Sequence, residues 1–324
     1  MDLLEQAFDG KQITESSKKL YLANLKRLNG GEIPKNFKFL NNLEQVMEKI
    51  SKYKPNTQRS YIISIVSLLK CLKEKQKKYK KLYEDYYAIL ENLNGELKDN
   101  TKKTEKEESN WISQTEIRDL LNSKMHILET VRNLKKINQE QYDDLLDLVI
   151  LSLFVLQKPR RNRDYQEMKV VKKYKDEYGT NDNFLDLFSN TFIFNNYKTA
   201  KTYQTQTQAI DERMRDIINV YMKFHPLKNR LKEANNITTP FLVKFDGEKF
   251  ITNNSLTRIL YKIFGKKIGS SMLRKLYLTD KFGDKMDQVN EIMSEMKTDA
   301  EAMGNSVGTI QTNYIKKSEA NSDS

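Results

Sequence analysis

A tyrosine stands ten residues after a glycine near the end of this chain, in the segment "GNSVGTIQTNY" from Gly304 to Tyr314. A tyrosine hydroxyl has a pKa of about 10, so at neutral pH it is a weak nucleophile unless a base or a strongly polarised electrophile adjoins it. A phosphodiester bound by arginines is such an electrophile, because a planar guanidinium can hold two phosphate oxygens at once. The arginines are therefore the residues to place next.

Three arginines, Arg160, Arg161 and Arg163, cluster in "QKPRRNRDY" at residues 157–165, although most of the positive charge of the chain is lysine. This segment follows the most apolar stretch of the sequence, which predicts a buried helix from about residue 141 to 156. Arginines at the end of a buried helix can form a fixed phosphate site. The alternative interpretation is a solvated basic turn.

A further arginine, Arg274, lies in "GSSMLRKLYLTD", where Met272, Leu273 and Leu276 predict a partly buried helix. A guanidinium in such a setting is rarely without a partner, because burying a charge is costly. Arg274 is therefore a second candidate for binding a phosphate.

Two lysines lie in "NNYKTAKTYQTQTQAI", where strand-like runs at 191–197 and 201–210 meet at "KTAK". The pattern predicts a β-hairpin with Lys198 and Lys201 at its tip, a position from which a lysine can reach into a DNA groove. The alternative is a pair of surface lysines that bind nothing.

Taken in chain order, these residues resemble the motifs of the tyrosine recombinase, or phage-type integrase, family. The segment ending at Tyr314 is similar to the family's closing box, which carries the nucleophilic tyrosine. "PRRNRDY" resembles forms found in large DNA viruses and related mobile elements. The resemblance covers about residues 12–314 and implies site-specific DNA recombination or integration. The catalytic residues that it implies are Arg161, Lys198, Ser271, Arg274, Asn305 and Tyr314.

The resemblance also implies a role for each residue. Arg161 and Arg274 stabilise the pentavalent transition state at phosphorus, and Lys198 protonates the departing 5′ oxygen. The product is a 3′-phosphotyrosine link that stores the bond energy for rejoining, so no metal or other cofactor is implied. Asp164 falls where an acidic residue supports the first arginine. Lys201 is the less favoured choice for the hairpin lysine.

Ser271 and Asn305 stand where the family usually has histidines. Both can donate a hydrogen bond to a phosphoryl oxygen, but neither is a base near neutral pH. Slower proton transfer is therefore expected, with Lys275 compensating in part. The two histidines of the chain, His126 and His225, lie outside both boxes and are interpreted as structural or surface residues.

The elements that must position these residues fall into two predicted domains. The charged run 96–110, "ELKDNTKKTEKEESN", is typical of a solvated linker. Residues 1–95 are predicted to form a bundle of about four helices, similar to the family's SAM-like core-binding domain. Residues 111–317 are predicted to form the α+β catalytic domain, and 318–324 a disordered tail. The predicted fold class is mostly α with a small antiparallel β-sheet.

A net charge of +12, from 56 basic and 44 acidic residues, favours a polyanionic partner. The resemblance makes double-stranded DNA the expected partner, bound by a homotetramer on two sites, and no membrane is expected to be involved. The lysine run "KCLKEKQKKYKK" should make binding depend steeply on salt, unless it is only a solubilising face. The predicted DNA contacts are Thr57, Arg59, Lys73, Lys77, Lys80, Arg160 and Lys201.

The acidic start of the chain and the single Cys71, interpreted as a buried structural thiol, predict an intracellular protein. Abundant lysine and asparagine agree with a viral or mobile-element source, and hence with the host cytoplasm or nucleus. Two other functions stay open. One is a DNA-binding protein on the same fold that has lost strand cleavage, and the other is a type IB topoisomerase-like enzyme.

Overall fold

The computed structural model describes residues 6–8, 13–97, 102–233, 238–250, 252 and 254–316. The chain divides into two compact units, Met1–Lys103 and Thr104–Ser324. Each unit contains its own cluster of buried apolar side chains. The predicted tail at 318–324 lies outside the described residues.

In the described part of the first unit, four helices form a bundle, and the connection between the first two contains a 3₁₀ turn (Lys38–Asn41). The helices are α1 (Glu15–Leu28), α2 (Leu43–Ser51), α3 (Pro55–Lys75) and α4 (Lys80–Glu96). They begin where capping chemistry predicts: the Thr14 hydroxyl accepts from Ser17 N at 3.2 Å, and Pro55 occupies the first turn of α3. Helix α3 contributes most to the core, because its apolar face is fully buried.

The predicted linker is folded in its second half. Helix α5 (Glu105–Asn110) begins with a capping box in which Thr104 and Glu107 satisfy each other's backbone N–H groups. Asn110 Oδ1 then accepts from Lys267 N at 2.7 Å. The division between the units lies within the charged run, but residues 105–110 belong to the second unit. The high charge of this run led to the prediction of a linker, although Thr104 and Glu107 have the spacing of a capping box that starts a short helix.

The second unit is built around α7, which is buried along most of its length. A capping box formed by Ser113 and Glu116 starts α6. The helices that precede the sheet are α6 (Gln114–Val131), α7 (Gln139–Val155) and α8 (Asn162–Gln166). Helices α9 (Ala200–Tyr203), α10 (Glu212–Phe224) and α11 (Arg230–Glu233) lie between strands of the sheet. Helices α12 (Ser255–Phe264), α13 (Ser270–Ala302) and α14 (Val307–Thr309) follow it.

The sheet is mixed, which corrects the prediction of a purely antiparallel sheet. Its strands are β1 (Lys169–Val171), β2 (Phe184–Asp186), β3 (Thr191–Phe194), β4 (Gln206–Ala209) and β5 (Thr239–Pro240), in the order β4-β3-β2-β1-β5. Strands β1 and β2 are parallel, with Lys169 opposite Phe184, and the other pairs are antiparallel. The twelve residues between β1 and β2 give the chain enough length to cross over and return in the same direction.

Both faces of the small sheet are covered. On one face, Phe192 and Phe194 of β3 join the main core that contains α7. On the other, Tyr174 and Tyr178 of the β1–β2 crossover pack against Phe184. This covering keeps the sheet rigid at the point where β3 and β4 lead to the functional residues.

Candidate functional site

Arg161 is positioned by the end of the most buried helix of the unit. Helix α7 stops at Val155, and the chain turns through Pro159 so that Arg161 becomes the N-cap of α8. Its backbone carbonyl accepts from Asp164 N at 3.0 Å. The side chain of Arg161 is half-buried. The buried core on either side therefore fixes the backbone from which this guanidinium projects.

Arg160 is held inside the protein. Its Nε donates to Asp164 Oδ2 at 3.0 Å and its second nitrogen donates to Gln206 Oε1 at 2.9 Å. The guanidinium lies 3.8 Å from the ring centroid of Phe194 and 4.9 Å from that of Tyr197. With only 17% of its side chain exposed, Arg160 joins α8 to β3 and β4. Its Nε and Nη1 donors are therefore occupied within the protein, and its role as a DNA contact stays a prediction.

Asp164 is the acidic partner of these arginines, but its ion pair is with Arg160 and not with Arg161. Burial raises the pKa of Asp164 from its ordinary value, while the charges of Arg160 and Arg161 act in the opposite direction. Asp164 therefore supports Arg161 only indirectly, by holding the neighbouring arginine in place.

Arg274 lies in the second turn of α13 and approaches Arg161 in space. Burial lowers the pKa of the Arg274 guanidinium and the positive charge of Arg161 lowers it further, whereas Asp164 acts in the opposite direction. Within the described part of the chain, neither guanidinium takes part in an ion pair. Two neighbouring guanidinium groups that form no ion pair could together bind an anion with several oxygens.

Ser271 lies beside this arginine pair at the start of α13. Its hydroxyl accepts from a terminal nitrogen of Arg274 at 3.2 Å, and Arg274 Nε donates to the Ser270 carbonyl at 3.4 Å. The close approach of Thr257 to Gly269, where an added Cβ would lie 3.3 Å from the threonine methyl, brings α12 against this turn. Ser271 therefore orients Arg274 and keeps its own hydroxyl proton free to donate.

Lys198 lies on the connection between β3 and β4, next to the Arg160 network. The predicted hairpin is present, but its connection is eleven residues long and includes α9, so the strands are shorter than expected. Tyr197, which contacts Arg160, donates to the Gln204 carbonyl at 2.6 Å and anchors the connection. Lys198 and Lys201 are both exposed. Lys198 directly follows the anchoring tyrosine, whereas Lys201 lies on α9.

Lys275 does not join the site. It forms an ion pair with Glu107, and this hydrogen bond, together with that from the Thr104 backbone, lowers the pKa of Glu107 to about 2. The lysine points towards α5. Its predicted part in compensating for the missing histidines has no support in this geometry.

Gly304 and Asn305 have a structural role, because they end helix α13. Gly304 has φ of 68°, a conformation that glycine adopts without strain. Its N–H bonds to the Glu301 carbonyl at 3.2 Å, and Asn305 N–H bonds to the Ala300 carbonyl at 2.8 Å. This is the Schellman arrangement that ends a helix. The Asn305 side chain donates to the Met303 carbonyl at 3.1 Å, so the structure does not bring Asn305 to the arginines.

Tyr314 also lies away from the arginines. The closing segment, defined as residues 305–316, folds back along α13, buries Ile310 and places Gln311 Nε2 3.6 Å from Met293 Sδ. Nineteen residues of α13 separate Met293 from Arg274, which is about 28 Å along the helix axis. Tyr314 is 58% exposed. In this structure the predicted nucleophile and the predicted phosphate site are separate.

The DNA contacts predicted in the first unit lie in two places. Thr57 is exposed at the start of α3, whereas Arg59 is half-buried and hydrogen-bonded to Asn94 of α4. The lysine run does not form one continuous helix, because α3 ends at Lys75 and a short 3₁₀ turn follows before α4. Lys77 is exposed on this turn. The run therefore forms a basic corner between two helices.

Two lysines of this corner have partners within the unit. Lys73 Nζ lies 3.5 Å from the ring centroid of Tyr83, and Lys80 pairs with Glu84 at 4.0 Å on the surface of α4. The aromatic contact holds Lys73 against the bundle, and the exposed ion pair is weak. Lys77 and Lys80 therefore have ammonium groups that remain accessible to phosphates.

Both histidines are structural or peripheral, as interpreted from the sequence. His225 is fully buried, with Nδ1 accepting from Leu227 N at 3.1 Å and Nε2 3.2 Å from the Phe241 carbonyl. Burial lowers the pKa of His225, which favours the neutral ring. His126 is exposed near Glu129.

Sequence reasoning missed the residues that hold the arginine cluster together. Phe194, Tyr197 and Gln206 surround Arg160, but they were interpreted only as parts of strands. The available signal was the hairpin itself, because its register brings Phe194 opposite Gln206. A hairpin next to an arginine-rich turn predicts aromatic and amide partners for a buried guanidinium.

Among the described residues no group of three or more histidine, cysteine or acidic side chains is arranged to hold a metal ion. Nor does any helix in the described ranges have the length and apolar character needed to cross a membrane. No family model, curated protein or solved structure matches the chain.

Proposed function

We propose that this protein cleaves and rejoins double-stranded DNA as a site-specific recombinase or integrase of the tyrosine recombinase type. The observation that carries the proposal is that Arg161 and Arg274 interact electrostatically and that neither forms an ion pair with an acidic side chain among the described residues. A phosphodiester placed there would receive donors from both guanidinium groups and from the Ser271 hydroxyl. In this proposal the first unit is the core-binding domain and the second is the catalytic domain.

The proposed reaction is a transfer of the phosphoryl group from a DNA 5′ oxygen to Tyr314. The tyrosine oxygen attacks phosphorus, the bond to the 5′ oxygen breaks, and Lys198 supplies the proton to that oxygen. The phenol proton leaves to solvent, because Ser271 and Asn305 are not bases near neutral pH. Lys198 directly follows Tyr197, which is anchored to Gln204 and contacts Arg160, and this position supports its assignment over that of Lys201.

Cleavage in this proposal requires Tyr314 to approach the arginine pair. Its separation from Arg274 along α13 means that the closing segment must move, or that another copy of the chain must supply the tyrosine. Assembly of four copies on two DNA sites, which the family resemblance implies, provides an occasion for either event. In this proposal the described structure is a state that precedes assembly of the active site, because Tyr314 is not yet at the arginine pair.

The same separation favours a second candidate function. A DNA-binding protein on this fold would keep the arginine pair as a phosphate anchor and would not use Tyr314. The substitutions at Ser271 and Asn305 agree with this candidate. Topoisomerase-like relaxation of supercoils shares the proposed chemistry and differs in needing only one copy of the chain.

Covalent trapping distinguishes these functions. Duplexes are first selected for binding from a random-sequence pool, then nicked so that the cleaved strand diffuses away, and incubated with the protein. A protein–DNA band that survives denaturation is expected with the wild type and is expected to be absent with Tyr314→Phe. Tyr203→Phe is the matched control, because this exposed tyrosine lies on α9 and has no proposed part in the chemistry.

Each result assigns one function. A covalent band that depends on Tyr314 supports strand transfer, and exchange of strands between two duplexes then separates recombination from relaxation of supercoiled DNA. Tight binding without a covalent band supports the DNA-binding candidate and overturns the proposed enzyme.

A further inference from the structure

Helix α13 carries an exposed apolar stripe along its middle. It consists of Leu278, Phe282, Met286, Val289 and Met293, which are spaced four, four, three and four residues apart and are 51%, 42%, 47%, 46% and 40% exposed. This spacing places all five on one face of the helix. A contiguous apolar surface of this kind marks an interaction site more often than an ordinary solvated helix. We call these five residues the α13 stripe.

The far end of the same face is already covered by the chain itself. Ile310 of the closing segment and Ala300 of α13 are both buried, and Gln311 Nε2 lies 3.6 Å from Met293 Sδ. The closing segment extends no further than Met293, and the stripe residues between Met293 and Arg274 are not covered by it. This face of α13 therefore packs against the closing segment at its far end, and its exposed part is suited to another apolar surface.

The spacing of the stripe fits a second copy of itself. When two α13 helices run antiparallel, Leu278 of one copy lies opposite Met293 of the other, and Phe282 lies opposite Val289. Met286 then lies at the two-fold axis. Each large side chain meets an apolar partner, so the surface is complementary to itself.

The charges along α13 favour the same antiparallel arrangement. From residue 274 to 285 the helix carries four basic and two acidic side chains: Arg274, Lys275, Lys281, Lys285, Asp280 and Asp284. From 287 to 301 it carries five acidic and one basic: Asp287, Glu291, Glu295, Asp299, Glu301 and Lys297. Antiparallel pairing places the basic half of one helix beside the acidic half of the other, whereas parallel pairing places like beside like.

We propose that the α13 stripe is a self-association surface through which two copies of this chain pair by antiparallel α13 helices. DNA and anionic lipid are poor occupants of this face, because its centre is apolar and its second half is acidic. The proposal concerns assembly and does not depend on the proposed DNA chemistry. Its failure therefore leaves that chemistry untouched.

Site-directed cross-linking tests the geometry directly. Cys71 is the single cysteine, so a Cys71→Ser protein provides a thiol-free background. Leu278→Cys and Met293→Cys are made separately in this background, one of them with a size tag, and treated with a short bis-maleimide. The mixture is expected to give a tagged–untagged dimer, and each protein alone is expected to give little. Met286→Cys is expected to cross-link to itself.

Two results would overturn the proposal. Efficient self-cross-linking of both Leu278→Cys and Met293→Cys alone indicates parallel pairing. Absence of any cross-linked dimer across a range of protein concentrations indicates that the stripe is covered by something other than a second copy, such as another part of the same chain.

Sedimentation of the unlabelled protein provides an independent measurement. Phe282→Glu is expected to abolish the concentration-dependent dimer, because it places a charge in the middle of the apolar contact. Gln288→Glu adds the same charge at an exposed position about 120° around the helix from the stripe, and is expected to preserve the dimer. Equal loss of the dimer in both variants, or no effect of Phe282→Glu, contradicts the assigned surface.

Discussion

Arg161 and Arg274 interact electrostatically in the folded protein, although one is the N-cap of the short helix after α7 and the other lies near the start of α13. The positive charge of Arg161 contributes to lowering the pKa of Arg274. Two like charges held together are unfavourable unless something is gained from the arrangement. A bound phosphodiester would relieve this repulsion, which agrees with the proposed phosphate site.

Replacing either arginine of this pair by lysine should impair chemistry more than DNA binding. Arg274→Lys keeps the charge but loses the planar fork of donors, so the covalent trapping rate should fall by about 10²- to 10³-fold. Arg161→Lys is expected to behave similarly. The control is Arg163→Lys, whose parent side chain is exposed and paired with Glu167. An equal loss of trapping in the control variant would contradict the assignment.

Arg160 should matter for stability. Arg160→Met keeps an apolar contact with Phe194 but leaves the buried Asp164 without its partner, which should cost about 3 kcal/mol in the free energy of unfolding. Arg163→Met on the same helix breaks an exposed pair and should cost less than about 1 kcal/mol.

Urea denaturation followed by tryptophan fluorescence measures this difference. Trp111 is the single tryptophan and packs against the core of the second unit. The signal therefore reports the unit that contains both arginines. Equal destabilisation by the two variants would show that the Arg160 network has no special structural role.

Lys198 can be tested as a general acid by changing the leaving group. Lys198→Ala should slow trapping on ordinary DNA by about 10²- to 10⁴-fold. A substrate with sulfur in place of the scissile 5′ oxygen should restore the rate, because a thiolate leaves without a proton. Lys201→Ala is the neighbouring control and should cleave both substrates normally. If Lys198→Ala remains slow on the sulfur substrate, the lysine has another role.

His225 should make the second unit less stable in mild acid. Because burial lowers its pKa in the folded state, the unfolded chain binds a proton first as the pH falls. The contribution of neutral His225 is complete above the ordinary histidine pKa, and is lost as the pH falls from about 6.5 towards the folded value. Protonation of Nδ1 would also remove the acceptor for Leu227 N.

The measurement is the free energy of unfolding between neutral pH and mild acid for wild type, His225→Gln and His126→Gln. The wild type and the His126 variant should lose up to about 1.4 kcal/mol per pH unit from this group, and the His225 variant should show a shallower dependence. Parallel curves for all three proteins would exclude His225 as the titrating group.

The basic corner of the first unit should determine part of the salt dependence of DNA binding. Removing two phosphate contacts with Lys77→Gln and Lys80→Gln should reduce the slope of log affinity against log salt by about 1.8. The control replaces Lys35 and Lys38, which are exposed on the same unit. An identical change of slope in both double variants would indicate a general charge effect.

The helices could be predicted from the sequence where apolar residues recur at helical spacing and capping residues mark the ends. Ser113 with Glu116 is the clearest case. The direction of the strands could not be predicted, because β2 is only three residues long and its buried "FLD" carries no alternating pattern. Without β2 the crossover was not apparent, and the sheet was expected to be antiparallel.

The candidate site was predictable only where local sequence determines position. Arg161 follows a strongly apolar segment and Arg274 lies within an apolar helical pattern, so their partial burial could be inferred. The spacing of ten residues between Gly304 and Tyr314 describes the closing segment but not its distance from Arg274. That distance depends on the length of α13, and the charged residues after Leu278 gave no signal for where the helix ends.

Helix α13 has a mechanical consequence through its 33-residue length. Its first turns are packed against the core, whereas the closing segment contacts it about 28 Å further along the axis. A tilt of about 10° at the buried end would displace that contact by about 5 Å, so the helix acts as a lever arm. Small changes near Arg274, including the arrival of a phosphate, would therefore be amplified into large displacements of Tyr314.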